Sequence, residues 1–481
     1  MKFEISTVMP GACDAAVCFA PADGPARFQD AALSAAYETQ LGGMPLTAAH
    51  KALVPLRLRV DDRLIPVWIA GFNPYCDAPL DALRELLASV GKALVEAKAR
   101  LIWLDGWQRL GGTGLSVLEV ARQIGAALPL CGYRFDRYLT RRAESVPARV
   151  FLRGGDEHAA ALAEGARIAE AVVIARDLVN DIAESMTPEK LADEAVRFGA
   201  QYGFEVRVLE EEACRALGMN LFLAVARGSA LPPKLIEMRW NGAGDAAPIG
   251  LVGKGITYDS GGLQIKTSGM ASMNYDMNGG ASVIGAMCAI AAMKLPVNVV
   301  GVVAACENMV DAKSYRNGDI LTSMNGQTVY VRNTDAEGRL TMADAITYCV
   351  RTARPSEIIE VAGLTGSVCN FFGSVCAACL TTDQALFDRV AALSPVTGEK
   401  YWQMPSFPEY EKLLKWPFAD LNNAPEGPCG GITAGLFLTA FHEDVPFLHI
   451  DYGAMPFTKK DGANGFGVRT LYEYAKSRAK A

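Results

Sequence analysis

The 481-residue sequence predicts an α/β protein of two domains: a small N-terminal α/β domain and a larger C-terminal α/β domain with a mixed central sheet. Three observations predict it. The chain is too long for one ordinary domain. Short apolar runs alternate with stretches of helical apolar spacing. Between Thr140 and Glu164 that pattern is interrupted by Arg141, Arg142, Glu144, Pro147, Gly154, Gly155 and Asp156, which sets the domains at residues 1–155 and 156–481.

In the first domain, Arg57 to Ala70 reads as a hairpin with Asp61-Asp62 at its turn. Leu80 to Ala99 has helical spacing, Arg100 to Leu104 follows as a short buried strand, and Val117 to Leu128 returns to helical spacing. This alternation predicts a mostly parallel sheet. An Ala-rich helix from about Glu157 to Ile182 opens the second domain as a linker. Thr187-Pro188-Glu189 reads as an N-cap with Pro at the first helical position. Strands are predicted at Pro248 to Val252, Val297 to Ala304, Thr328 to Val331, Glu357 to Val361 and Phe447 to Ile450. Helices are predicted between them at Gly280 to Met293 and Leu340 to Arg351, with the chemistry in loops at strand ends.

Composition narrows the function. Hydrophobic residues make up 51% and charged residues 21%, enough apolar material for a large core, which excludes a disordered chain. Asp plus Glu outnumber Lys plus Arg, 53 to 46, so nothing in the net charge of -7 favours nucleic acid or an anionic membrane. The start, with Glu4 and no sustained apolar run, does not read as a secretory signal, and no segment has the length of a spanning helix. The 12 Cys are scattered, which fits reduced thiols and a cytoplasmic location. With four His in all, a His-rich metal site is excluded.

Two stretches set charge beside Gly in apolar surroundings. One runs from Val252 through Lys254, Asp259 and Lys266 to Asp276; the other is Asn333-Thr-Asp335-Ala-Glu337-Gly-Arg339-Leu340. If the second is extended, Asp335, Glu337 and Arg339 share one side. Carboxylates converging from two loops would raise each other's pKa, and a divalent metal pair removes that conflict. Each stretch alone also suits a solvated turn. Gly253-Lys254-Gly255 lacks the P-loop order of Gly and Lys, and neither Ser260 nor Ser272 sits in a nucleophile elbow. Cys376-Ala-Ala-Cys379 has no second pair and reads as buried packing. His449-Ile-Asp451 reads as a satisfied structural histidine.

On these residues the sequence resembles the leucyl aminopeptidase family, which includes the cytosol aminopeptidases and peptidase B. Asn333 to Leu340 matches the family signature in full, and Gly253 to Gly262 matches with Tyr258 where Phe is common. The likeness extends over Glu307-Asn-Met, Asn317-Gly-Asp-Ile-Leu321, Leu364-Thr-Gly366, Asp420-Leu-Asn-Asn423 and His449-Ile-Asp451, and covers roughly residues 165 to 481. It departs at three places. The segment between Lys266 and Asp276 is one residue shorter than usual, Asn274 replaces a basic residue, and Gly363 stands where the family has a Thr at the wall facing the substrate backbone.

The resemblance implies a metalloaminopeptidase with two divalent ions, Mn or Zn, in the C-terminal catalytic domain. Asp259 and Glu337 would bridge both ions, Asp335 would complete the more exchangeable position, and Lys254 with Asp276 the tighter one. Lys266 and Arg339 would be catalytic without ligating, with a bicarbonate at Arg339, and the substrate pocket would include Met273, Asn333, Leu364 and Gly366. Hard carboxylate oxygens suit such ions without His. Lys254 ligates only as a neutral amine, and Arg339 cannot serve as a base. The expected substrates are peptides with a free N-terminus, and the expected assembly is a homohexamer. Two rivals differ in class: a regulatory or DNA-binding scaffold, which gives no reason to keep these seven residues together, and a two-metal phosphoesterase, which ordinarily uses several His.

Overall fold

The computed structural model describes residues 1–42, 44–112, 114–142, 148–458 and 460–479. Two compact units divide the chain, Met1–Glu170 and Ala171–Ala481. Glu144 and Pro147, part of the predicted boundary, lie outside the described residues. The predicted linker helix is Ala159–Asn180.

The first unit holds a six-stranded sheet. Its order is Lys2–Ser6, Arg149–Arg153, Leu101–Asp105, Ala15–Pro21, Arg63–Phe72 and Leu53–Val60. All neighbours run parallel except the last pair, the predicted hairpin, which turns at Asp61 with φ +52°. Alternate residues of the central strands go to two cores. Val17, Phe19, Leu104 and Leu152 pack with Leu86, Val90 and Ile124 of the helices Pro79–Glu96 and Val117–Cys131, while Cys18, Trp103 and Phe151 pack with Leu33 and Tyr37 of Ala31–Leu41. Both faces are therefore covered, as a parallel sheet requires. Ala15–Pro21 and Arg149–Arg153 escaped the sequence reading because strands buried on both faces carry no apolar–polar alternation.

The second unit is built on an eight-stranded mixed sheet. Its order is Tyr401–Gln403, Ala377–Thr381, Phe447–Asp451, Glu357–Ala362, Ile249–Asp259, Asn298–Asn308, Lys234–Asn241 and Glu205–Leu209. Helix Asn278–Ala292 is buried along its length, and Pro188–Tyr202 is capped by Thr187, which accepts from Lys190 N. Thr328–Tyr330, expected as a strand, belongs to a separate three-stranded sheet with Ile320–Thr322 and Leu421–Asn422. Among the described residues no helix is long and apolar enough to cross a membrane.

Helix Gly338–Ala353 is fixed by Asp344, a buried carboxylate without a basic partner among its hydrogen bonds. It accepts from Phe222 N at 3.0 Å and Met324 N at 2.8 Å, and burial pushes its pKa up to about 7 despite those donors. The folded state therefore holds this proton more tightly than the unfolded chain. Its contribution is fully present at low pH and is lost as the pH rises from the ordinary 3.8 through about 7. The loss is on the order of a few kcal/mol. Asp344→Asn should flatten the decline in denaturant-measured stability between about pH 4 and pH 7, even though it costs one acceptor. An unchanged pH slope would refute this role.

Candidate metal centre

Four strands of the larger sheet run parallel and end at one edge: Ile249–Asp259, Asn298–Asn308, Glu357–Ala362 and Phe447–Asp451. Open α/β sheets place ligands beyond such carboxyl ends. The strand containing Lys254 extends past the predicted Val252 to Asp259, so both residues lie in the ladder rather than in a loop. Five positions separate them, and in a regular strand an odd spacing sends side chains to opposite faces. The ladder prevents this. Ile256 pairs with Cys306 and Tyr258 with Glu307, leaving Thr257 as the extra residue of a bulge. Opposite Lys254 and Asp259 stand Ala304 and Asn308, an even spacing, so the bulge returns both side chains to one face.

The second stretch is not extended. Glu337 has helical backbone angles (φ -73°, ψ -38°), and the helix Gly338–Ala353 starts directly after it. Asp335 and Glu337 still converge, because the turn at Thr334–Asp335 brings the loop round. Asp259, Asp335 and Glu337 each place an oxygen within 4.8 Å of the others. Lys254 Nζ lies 2.8 Å from Asp276 Oδ1, 2.8 Å from Glu337 Oε1 and 3.1 Å from the carbonyl oxygen of Gly363. Lys266 Nζ lies 2.6 Å from Asp259 Oδ2 and 2.5 Å from Asp335 Oδ1. Asp276 lies in the last turn of the 3-10 helix Met270–Met277 and is buried. Gly338 is required by close approach, since a Cβ there would sit 2.6 Å from Lys254 Cε and Nζ.

Electrostatics in this cluster are dominated by burial. Burial raises Asp259 to about 6, helped by Glu337 and opposed by Lys266 and Lys254. Burial holds Asp276 well above the carboxylate range and raises Asp335. Burial also works to raise Glu337, but Lys254 and Lys266 outweigh it and the group ends lower than usual. Burial pulls Lys254 down, yet Asp276, Glu337 and Asp259 together hold it well above its ordinary value. Burial lowers Arg339 to about 10, with Glu337 and Asp451 opposing, so the guanidinium stays charged at neutral pH.

These residues fit a divalent cation. The donors are hard oxygens, the four carboxylates outnumber the two ammonium groups, and Glu337 Oε2 is buried with no hydrogen-bond partner. The arrangement gathers Lys254, Asp259, Asp276, Asp335, Glu337 and Lys266 into one cluster, with Arg339 buried two residues beyond Glu337. Of the predicted pocket residues, Met273 is half-buried on the Met270–Met277 turn, and Leu364 Cδ2 lies 3.0 Å from the position of a Cβ on Gly338. Asn333 acts within its own loop, where Oδ1 accepts from Asp335 N at 2.7 Å. Gly366 is exposed at the start of helix Ser367–Phe372.

Sequence reasoning assigned no role to Asn308, Thr334 or Asn423. Asn308 Nδ2 donates to Asp259 Oδ1 at 2.8 Å and to Thr334 O at 3.0 Å. Thr334 Oγ1 donates to Gly261 O, tying the two acidic stretches together. Asn423 accepts from Arg332 N and Asn333 N and donates to Asn333 O at 2.7 Å. Their partners are mostly backbone groups far away in sequence, so no spacing signals them.

The catalytic-domain profile of the cytosol aminopeptidase family matches residues 173–472. A probable cytosol aminopeptidase of Clostridium perfringens is 39% identical over 436 residues, 87% of this chain and 88% of that protein. One from Fusobacterium nucleatum is 43% identical over 353 residues, 72% and 73% of the two chains. Among solved structures, the bottromycin maturation enzyme BotP superposes with a TM-score of 0.86 at 30% identity, over 98% of this chain and 100% of that one. The same enzyme in complex with Mn superposes equally well, over 97% of this chain.

If Lys254 is a ligand, loading a cation here requires it to lose its proton, and Asp259 must be ionised. Binding should then release protons, and Mn affinity should rise with pH from about 5 upward. Calorimetry in buffers of different ionisation enthalpy measures both quantities. A pH-independent affinity without proton release would exclude Lys254 as a ligand.

Proposed function

Because the chain belongs to the cytosol aminopeptidase family and is a metal-dependent aminopeptidase, we propose that it releases N-terminal residues from peptides at a two-metal site formed by Lys254, Asp259, Asp276, Asp335 and Glu337. The observation that carries this reading is the convergence of four acidic side chains on the buried amine of Lys254 and on Lys266.

Asp259 and Glu337 lie between the two lysines and would serve both ions. Asp335 would complete the outer, half-buried position beside Lys266, and Lys254 with Asp276 would complete the buried one. When bound, a pair of divalent ions, Mn or Zn, supplies Lewis acidity and an activated water. Lys266 keeps its proton and moves from its carboxylate partners toward the oxyanion that develops at the scissile carbonyl. Arg339 supplies a buried positive charge suited to a small oxyanion such as bicarbonate. Leu364 and Met273 offer apolar surface to the N-terminal side chain, and Gly366 leaves room for the peptide backbone. A free α-amine would serve as a further ligand, which would restrict cleavage to the first residue. The same reading takes the protein as a cytoplasmic homohexamer acting on peptides with a free N-terminus.

Hydrolysis of leucyl and other aminoacyl chromogenic substrates is the direct test. Activity should be abolished by chelator and restored by Mn or Zn, and the N-acetylated substrate should be inert. Equal cleavage of blocked and free substrates would defeat the exopeptidase reading. Lys266→Ala should lower turnover by about 10²–10³ while the protein still binds Mn. Full turnover in that variant would remove Lys266 from the chemistry.

A further inference from the structure

Behind the metal cluster lies a second group of buried ionisable residues that the reaction does not use. Glu360 and His449 are directly opposite in the parallel strands Glu357–Ala362 and Phe447–Asp451, and Asp451 follows two positions on, opposite Ala362. All three are at most 1% exposed. His449 Nδ1 is hydrogen-bonded to Glu360 Oε2, and its Nε2 faces Asp451 Oδ2 at 3.9 Å. The ring is hydrogen-bonded to a carboxylate at Nδ1 and faces a second one across 3.9 Å at Nε2, and two such neighbours favour positive charge on it. Burial opposes the charge, but Glu360 and Asp451 outweigh it.

The chain of contacts leads to the metal cluster. Asp451 Oδ1 accepts from Gly453 N at 2.9 Å and from Leu364 N at 3.3 Å. The peptide that carries this Leu364 N–H also carries the Gly363 carbonyl, which accepts from Lys254 Nζ at 3.1 Å. One peptide unit is thus held by Asp451 on its N–H and by Lys254 on its oxygen. Gly363 adds a steric reason for its place there, because a Cβ would lie 2.6 Å from Tyr452 Cε2 and 2.9 Å from Gly453 O. A neutral amine has two N–H groups and one lone pair. Fixing one N–H onto a carbonyl restricts the lone pair to the two remaining directions of the amine, as outer partners orient other metal ligands.

The geometry points to the Glu360–His449–Asp451 chain as the positioning device for Lys254: it locks the Gly363–Leu364 peptide, whose carbonyl aims the lysine lone pair into the metal site. His449 and Asp451 are positioning residues and touch no substrate. This rests on the two-metal reading above.

The test measures Mn affinity by calorimetry, together with kcat and KM on a leucyl chromogenic substrate, for the full-length wild type, Asp451→Val and Asp451→Asn. Asp451→Val removes the acceptor and should weaken Mn binding and lower kcat by about 10–100-fold, with KM changed less than about threefold. Asp451→Asn keeps an acceptor for Leu364 and should recover both to within about threefold of wild type. A folded Asp451→Val protein with wild-type Mn affinity overturns the inference, and so does an equal loss in both variants, which would assign the effect to charge rather than to the peptide lock. Should Asp451→Val not fold, His449→Gln decides: tenfold weaker Mn binding supports the device, and unchanged binding overturns it. A wild type that binds no Mn and cleaves no substrate overturns the two-metal reading, and this inference with it.

Discussion

Four carboxylates and two ammonium groups share one end of the larger sheet, and Lys254, Asp259, Asp276 and Glu337 among them are buried. Away from water a carboxylate persists only beside positive charge or strong donors. The two lysines supply part of that charge, yet Asp259, Asp276 and Asp335 all remain above the ordinary carboxylate range. The protein thus keeps an excess of hard oxygen donors in place and leaves two of them, Asp276 Oδ2 and Glu337 Oε2, without a hydrogen bond. A divalent cation relieves what the lysines leave uncompensated.

Holding such a cluster demands a scaffold that cannot relax. Lys254 is in a strand with hydrogen-bonded neighbours on both sides, and Glu337 precedes a helix buried over most of its length. The Thr257 bulge puts Lys254 and Asp259 on one face, while Asn308 and Thr334 tie the two acidic stretches together and Asn423 braces the second through its backbone groups. Rigid strands set the inner donors. Lys266 and Asp335, by contrast, are each partly exposed.

Beneath that scaffold the charges continue. Glu360, His449 and Asp451 form a layer joined to the cluster by the Gly363–Leu364 peptide, and Asp451 also attracts the Arg339 guanidinium. The departure at Gly363 becomes intelligible there, because the ring of Tyr452 and the carbonyl of Gly453 occupy the space a side chain would need. The sequence suggested a satisfied histidine; His449 is hydrogen-bonded to Glu360 at Nδ1, while its Nε2 carries no hydrogen bond and faces Asp451 at 3.9 Å.

The sequence by itself determined the fold class, the hairpin at Asp61, the Thr187 cap and several of the buried helices, because periodicity and turn chemistry are local. It also determined which residue types meet at the site, because the Asn333 to Leu340 signature and the Lys254 to Asp259 run are contiguous. Three things were decided only by tertiary structure. The common face of Lys254 and Asp259 depends on a bulge, and a bulge exists only relative to a partner strand. The approach of Asp335 to Glu337 comes from a turn followed by a helix, not from the extended loop that two-residue spacing suggests. The His449 layer needs two strands that lie almost ninety residues apart in sequence to pair in a single register. In each case the deciding term is a contact between distant segments, and such contacts leave no pattern in a linear string.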